Sequence, residues 1–265
     1  MYELKYHKAT SVADAVAVLG DAEDGKVIAG GQTLVPTMKQ HLAAPSDLID
    51  IRAVAELQGV CIKGDALVVG AATRHADVAL HTDVRTHIPA LATLAGGIGD
   101  PAVRAMGTIG GSLANNDPSA CYPAAALALN ATIITDRREV DADAFFAGMF
   151  ATDLDEDEII TSVRFPIPEK AAYAKFPNPA SRYAMVGVFV AVLDGDVRVA
   201  VTGAGEDGVF RHKGLEAALA ARFTSDAVDG VDVSEEELMS DLHGSALYRA
   251  QLIKVMAKRA VIAAG

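Results

Sequence analysis

Two pairs of adjacent glycines carry the strongest chemical signal in this chain: Ala29-Gly30-Gly31-Gln32-Thr33 and Thr108-Ile109-Gly110-Gly111-Ser112. Glycine has no Cβ and tolerates positive φ, so neighbouring N–H groups can converge on phosphate oxygens. The first pair ends a short apolar run, Lys26-Val27-Ile28-Ala29, that reads as a strand. Anions are commonly received where such a strand passes into a helix N-terminus. One Gly-Gly after a strand is more often a plain tight turn. Two of them, about eighty residues apart and each embedded in a longer phrase, predict two units closing on one diphosphate-bearing ligand.

The surrounding pattern supplies elements to hold both loops. Val12, Ala15, Val16 and Leu19 recur at helical spacing between Ser11 and Gly20, and predict a capped amphipathic helix. Leu34 to Gln40 reads as a short helix with Pro36 in its first turn, and Asp47 to Ile51 as a strand. A second segment offers strands at Val60–Lys63 and Ala66–Gly70, helices at His75–His81 and Ile88–Leu94, a helix near Pro123–Leu129, and strands at Ala131–Thr135 and Glu158–Phe165. Pro166, Pro168, Pro177 and Pro179 mark a boundary. Beyond it, the β-rich runs Tyr183–Leu193 and Asp196–Thr202 meet at Asp194-Gly195, a type I′ hairpin signal. Helices are expected at Lys213–Arg222, Ser234–His243 and Ser245–Ala263.

Composition bounds the function. The 265 residues are 51% hydrophobic and 22% charged, the profile of a globular chain. A net charge of −12 argues against nucleic acid or an anionic membrane as partner. It also requires that a bound diphosphate be held by local N–H groups against the overall field. The longest apolar run, near Ala124 to Ile134, is broken by Asn130 and is too short to span a bilayer. The N-terminal residues lack the apolar stretch of a signal peptide, so a cytoplasmic location is expected. Cys61 and Cys121 stand alone; neither an iron–sulfur cluster nor a structural zinc site can be built from two isolated cysteines.

Several other segments resemble functional motifs only superficially. Gly203-Ala204-Gly205-Glu206-Asp207-Gly208 fits the dinucleotide pattern. Its two acids would sit against the pyrophosphate, however, and the next helix begins only after Arg211, so a turn is expected. Asp153, Asp155, Glu156, Asp157 and Glu158 lack the central glycine and spacing of a calcium loop. His75, His81 and His87 share no helix face and read as surface residues. Ser112 is not in a nucleophile elbow, because Ala114 stands where the last glycine is needed.

Taken together, the longer phrases resemble the FAD-binding medium subunit of molybdenum hydroxylases, the family of aerobic carbon monoxide dehydrogenase and xanthine dehydrogenase. Ala29-Gly-Gly-Gln-Thr-Leu-Val-Pro-Thr-Met38 is similar to the first FAD-pyrophosphate loop, and Gly107-Thr-Ile-Gly-Gly-Ser-Leu-Ala-Asn-Asn-Asp-Pro118 to the second. Leu48-Ile-Asp-Ile51, Gly70-Ala-Ala-Thr73, Lys175 with Ser181-Arg-Tyr-Ala-Met, and Tyr248-Arg249 match in order along nearly the whole chain.

The resemblance implies an α+β fold: a two-part FAD-binding domain of the PCMH/vanillyl-alcohol-oxidase type, followed by a C-terminal antiparallel sheet-and-helix domain. The units would span residues 1–57, 58–168 and 169–265, the last with a three-stranded sheet. The resemblance also implies that Ala29 to Thr33 and Thr108 to Ser112 hold the pyrophosphate and that Ile98 lies near the adenine. Ile160, Lys175 and Tyr183 would surround the isoalloxazine, with Asp117 and Cys121 close by. Cys121 occupies a position where the family often has an acid, and a thiol is a weaker hydrogen-bonding group.

The implied function is electron transfer. Electrons would arrive from the [2Fe–2S] clusters of a small subunit, downstream of a molybdenum-cofactor large subunit, and leave to an external acceptor, within a dimer of heterotrimers. A stand-alone FAD-dependent oxidoreductase is the alternative, and a scaffold with a degenerate flavin site a third reading.

Overall fold

The computed structural model describes residues 2–265. The first unit alternates strand and helix: β1 (Lys5–Lys8), α1 (Val12–Asp21), β2 (Gly25–Ile28), α2 (Leu34–Lys39) and β3 (Asp47–Asp50). β3 lies central and parallel to both neighbours, in the order β1-β3-β2. Ser11 caps α1 by accepting the Asp14 amide, and Ala15 and Leu19 turn inward onto Ile49 and Ile51. The first glycine pair follows β2 at its carboxyl end, as its apolar run predicts.

The second unit opens with the hairpin β4 (Val60–Lys63) and β5 (Ala66–Gly70). Short helices follow: α3 (His75–Leu80), α4 (Thr82–His87), α5 (Pro89–Gly96), α6 (Pro101–Met106), α7 (Ile109–Asn115) and α8 (Tyr122–Ala128). The chain then forms β6 (Thr132–Thr135), β7 (Glu139–Asp141), α9 (Ala142–Phe145), the small hairpin β8 (Phe146–Gly148) and β9 (Ala151–Thr152), and β10 (Ile160–Pro166). Its antiparallel sheet runs β4-β5-β10-β6-β7. Every residue of α8 is buried, as expected of a helix that is apolar all round.

The third unit is a four-stranded antiparallel meander, β11 (Lys170–Pro177), β12 (Ala184–Leu193), β13 (Asp196–Gly205) and β14 (Gly208–Arg211). It is followed by α10 (Lys213–Ala221) and α11 (Ala246–Ala264). β12 is covered on both faces: Val186, Val188 and Val190 join the core with α11, while Phe189 and Ala191 join the core with α8. The period-two alternation of side chains produces this division.

Three expectations are corrected. The third sheet has four strands instead of three. β11 fits between the prolines because it is an edge strand and Pro177 sits at its end, where no ladder N–H is required. Gly203 and Gly205 belong to β13, and only Glu206 and Asp207 turn the chain into β14. The expected helix at Ser234–His243 is irregular. Asp241 there accepts the amides of His243 and Gly244, closing a tight turn that competes with a helix. The Asp194-Gly195 hairpin does form, with φ of 49° and 81° at the two turn residues, as a type I′ turn requires. Among the described residues no helix is long and apolar enough to cross a membrane.

A candidate cofactor cleft built on two unlike glycine loops

The first loop leaves its backbone donors unused. Among the described residues, the amides of Gly30, Gly31, Gln32, Thr33 and Leu34 have no hydrogen-bond partner. Gly31 adopts φ of 66°, the left-handed conformation that lets successive N–H groups form a concave anion nest. The Gln32 side chain donates to the Gly30 carbonyl at 3.1 Å and braces the loop. Gly30 serves a second purpose: a Cβ there would lie 2.3 Å from the Met106 carbonyl oxygen and 2.6 Å from Gly107 Cα. The two loops therefore touch, and only glycine permits the approach.

The second loop spends most of its donors internally. Ile109 N–H donates to the Thr73 carbonyl at 3.2 Å and Gly110 N–H to the Ala71 carbonyl at 2.8 Å. Gly111 N–H reaches the Thr108 hydroxyl, which caps α7, and Ser112 N–H donates to the Thr108 carbonyl. What this loop leaves open is the Thr108 amide and the Ser112 hydroxyl. Its glycines act mainly as spacers: a Cβ on Gly110 would meet Ala71 Cβ at 2.6 Å, and one on Gly107 would meet His75 Nε2 at 2.6 Å.

Together the loops line a cleft of about 450 Å³, within the size range of small-molecule sites. Fifteen of the sixteen expected cofactor residues line it: Ala29, Gly30, Gly31, Gln32, Thr33, Ile98, Thr108, Gly110, Gly111, Ser112, Asp117, Cys121, Ile160, Lys175 and Tyr183. Ile109 does not; its side chain is fully buried in the second unit's core.

Lys175 Nζ donates to the Gly97 carbonyl at 2.5 Å and the Arg182 carbonyl at 3.2 Å, and lies 3.8 Å from Cys121 Sγ. Ile98 follows Gly97 directly, so Ile98, Cys121 and Lys175 share one end of the cleft.

Charge in the cleft is set locally. Among the described residues, the Lys175 ammonium is matched by two carbonyls and a thiol and pairs with no carboxylate. Burial raises the Asp117 carboxyl above its ordinary range, although the Ser119 amide opposes this. Burial and the neighbouring Asp117 both raise the Tyr183 hydroxyl. Also on the cleft lining, Glu158 lies fully covered beneath Arg138, whose Nε and Nη2 each reach it at 2.8 Å, and its carboxyl is held down to about 2.

Sequence reasoning missed His75. It is 5% exposed rather than a surface residue, and it lines the cleft beneath Gly107. Its amide donates to the Gly107 carbonyl at 2.9 Å, while its Nδ1 and the neighbouring Tyr122 hydroxyl have no partner. Burial, aided by Arg104, pushes its pKa down to about 4. No spacing rule in the sequence pointed to it. Among the described residues there is no cluster of three or more His, Cys, Asp or Glu able to hold a metal ion.

Two glycine loops opening onto one cleft define a nucleotide-cofactor protein, and comparison with known proteins fixes which kind. Residues 2–168 match the family described as the FAD binding domain in molybdopterin dehydrogenase, and the chain belongs to it. It is an FAD-binding medium subunit of the molybdenum hydroxylases, an oxidoreductase component whose cofactor is FAD. The chain is 35% identical to the carbon monoxide dehydrogenase medium chain of Hydrogenophaga pseudoflava, over 98% of this chain and 96% of that one. It is 34% identical to the nicotine 6-hydroxylase medium subunit of Paenarthrobacter nicotinovorans, over 99% and 97%. Its fold superimposes on that of Cu,Mo-CO dehydrogenase in the cyanide-inactivated form with a TM-score of 0.89, at 29% identity over 98% and 97% of the two chains. For quinoline 2-oxidoreductase from Pseudomonas putida 86 the TM-score is 0.86, at 29% identity over 99% and 97%.

Proposed function

We propose that this chain is the electron-transfer subunit of a molybdenum hydroxylase complex, accepting electrons from [2Fe–2S] clusters of a partner subunit and passing them to an external acceptor. The observation that carries the reading is the run of five partnerless amides, Gly30 to Leu34, on a loop lining a cleft that it shares with the second glycine loop. Such a run suits a pyrophosphate, even in a chain of net charge −12. When bound, the flavin supplies redox chemistry that no side chain of the cleft provides.

The protein's share is binding, orientation and electrostatics. The first loop would hold the anion, and Thr108 and Ser112 would add the few donors that the second loop leaves open. Lys175 contributes a fixed positive charge without a matching carboxylate, and Tyr183 a partly exposed aromatic face at the same end. The sixteen cofactor residues expected from the sequence are retained in this proposal, with Ile109 acting through its buried side chain to seat the second loop.

Names of the relatives support a multi-subunit setting: this chain would join a molybdenum-cofactor large subunit and a [2Fe–2S] small subunit, as a dimer of heterotrimers in the cytoplasm. The units would be those at 1–57, 58–168 and 169–265, the first two forming a PCMH-type FAD-binding domain. The chain has only two cysteines, Cys61 and Cys121, fewer than the four thiolates that a cluster needs, so iron–sulfur electrons must come from another chain.

The test is to purify the chain with its native partners, record the visible spectrum and measure metals. Flavin bands with iron, sulfide and molybdenum support the reading. Flavin without metals overturns the complex in favour of a stand-alone flavoenzyme, and a preparation that takes up no FAD overturns the cofactor assignment as well.

A further inference from the structure

Arg249 is the most deeply buried charge in the third unit, at 3% exposure, and it lies outside the cleft. Its Nη1 donates to two backbone carbonyls on neighbouring strands, Met185 at 2.7 Å in β12 and Gly203 at 2.6 Å in β13. Its Nη2 donates to both carboxylate oxygens of Asp241, at 2.9 and 2.8 Å. A buried guanidinium is tolerated only when such partners replace its water. Both carbonyls adjoin the wall of the cleft. Met185 lies two residues beyond Tyr183. Gly203 donates its own amide to the Pro118 carbonyl at 2.8 Å, and the adjacent Thr202 hydroxyl reaches Pro118 and Ala120 carbonyls at 3.0 and 2.6 Å. Pro118 and Ala120 belong to the segment that carries Asp117 and Cys121 into the cleft. The strands are also pressed together here: Gly203 has φ of 81°, and a Cβ on it would lie 2.3 Å from the Ala184 carbonyl oxygen.

We infer that Arg249, anchored by Asp241, is a positioning residue for the flavin cleft. It ties the strand end that presents Tyr183 to the strand end that holds the Asp117–Cys121 wall, and so fixes the spacing of those two sides. The inference rests on the cleft being the FAD site. It does not require Arg249 to touch the cofactor. A lysine keeps the charge but cannot bridge two carbonyls and a carboxylate as a guanidinium does. Asp241 is half exposed, and the His243 and Gly244 amides that it also accepts can be served by an asparagine oxygen. Asp241→Asn therefore weakens the anchor with the least damage to the fold.

The experiment compares the wild-type full chain, Asp241→Asn and Arg249→Lys, each loaded with FAD in the native complex. The readouts are visible absorption, flavin fluorescence, the FAD dissociation rate and the thermal midpoint. Asp241→Asn is expected to raise flavin fluorescence, as Tyr183 loses its fixed place, to shift the visible bands, and to speed FAD release by about tenfold. Arg249→Lys should show the same signature more strongly, and Asp241→Glu, which retains the charge, should restore it in part. If Asp241→Asn keeps the wild-type spectrum, fluorescence and release rate, the inference is overturned, even if the midpoint falls, because that is the mark of a merely structural pair. If Arg249→Lys does not fold, Asp241→Asn alone decides between the two outcomes. A wild-type chain that takes up no FAD overturns the reading of the cleft and this inference with it, a result distinguishable from a flavin-loaded variant that behaves normally.

Discussion

The two glycine loops share a sequence signature and differ in what their backbones do. From Gly30 to Leu34 the amides are free. From Ile109 to Ser112 the amides are taken by Thr73, Ala71 and Thr108. Adjacent glycines thus serve two purposes here, one making a concave row of donors and the other letting a helix start press onto a strand end. Availability of donors, more than the presence of glycine, separates an anion cradle from a packing joint.

The sharpest way to break this comparison is to add one methyl group to each loop. Gly110→Ala sets a Cβ 2.6 Å from Ala71 Cβ and 2.8 Å from its carbonyl oxygen. Backbone must move, and a loss of about 3 kcal/mol in unfolding free energy is expected, the upper end for overpacking. A denaturant titration measures it. FAD uptake should fall only because the fold does.

Mild acid should act on the second loop through His75, which lies beneath Gly107. His75 is held neutral down to about pH 4 in the fold, whereas an unfolded histidine takes up its proton near 6.5. Between those values the unfolded chain binds more protons, so stability falls as pH falls, by at most about 3 kcal/mol across the window. His75→Gln should flatten that slope between pH 6.5 and about 5, above the range where Glu158 and Asp50, both held near 2 in the fold, start to cost stability because their unfolded counterparts take up protons. A slope unchanged by His75→Gln would contradict the assignment.

Gly31→Ala probes the other loop. Its φ of 66° costs an alanine about 1–2 kcal/mol, and a Cβ would press on Ile28 and Val35 side chains at 3.1 Å, which can yield. The expected result is a folded chain whose FAD affinity, read by fluorescence titration, drops about tenfold or more. Gln32→Ala removes only the brace to the Gly30 carbonyl. A loss of about 1 kcal/mol in FAD binding is expected, with the thermal midpoint unchanged.

Much of the scaffold was legible because local patterns agreed with tertiary need. β4 and β5 begin and end where the sequence indicates, since their apolar residues and the intervening Gly64-Asp65 turn point to one hairpin. The cleft residues, too, were legible through phrases longer than the glycine pairs. What stayed hidden depends on partners far along the chain. The carbonyls of Ala71 and Thr73 that occupy the second loop's amides come from the segment just after β5. β11 lay concealed between prolines, and the turn at Asp241 prevailed over a helical pattern because its carboxylate is claimed by Arg249 and two amides. His75 carried no signal at all: burial under Gly107 is a property of the packed structure.

The most direct test of the account is an amide NMR titration of the full chain labelled with 15N-glycine, recorded before and after addition of FAD. The account predicts large shifts at Gly30 and Gly31, where donors are free, and small ones at Gly110, whose amide is already bonded to Ala71. Large shifts at Gly110 with none at Gly30 and Gly31 would contradict it.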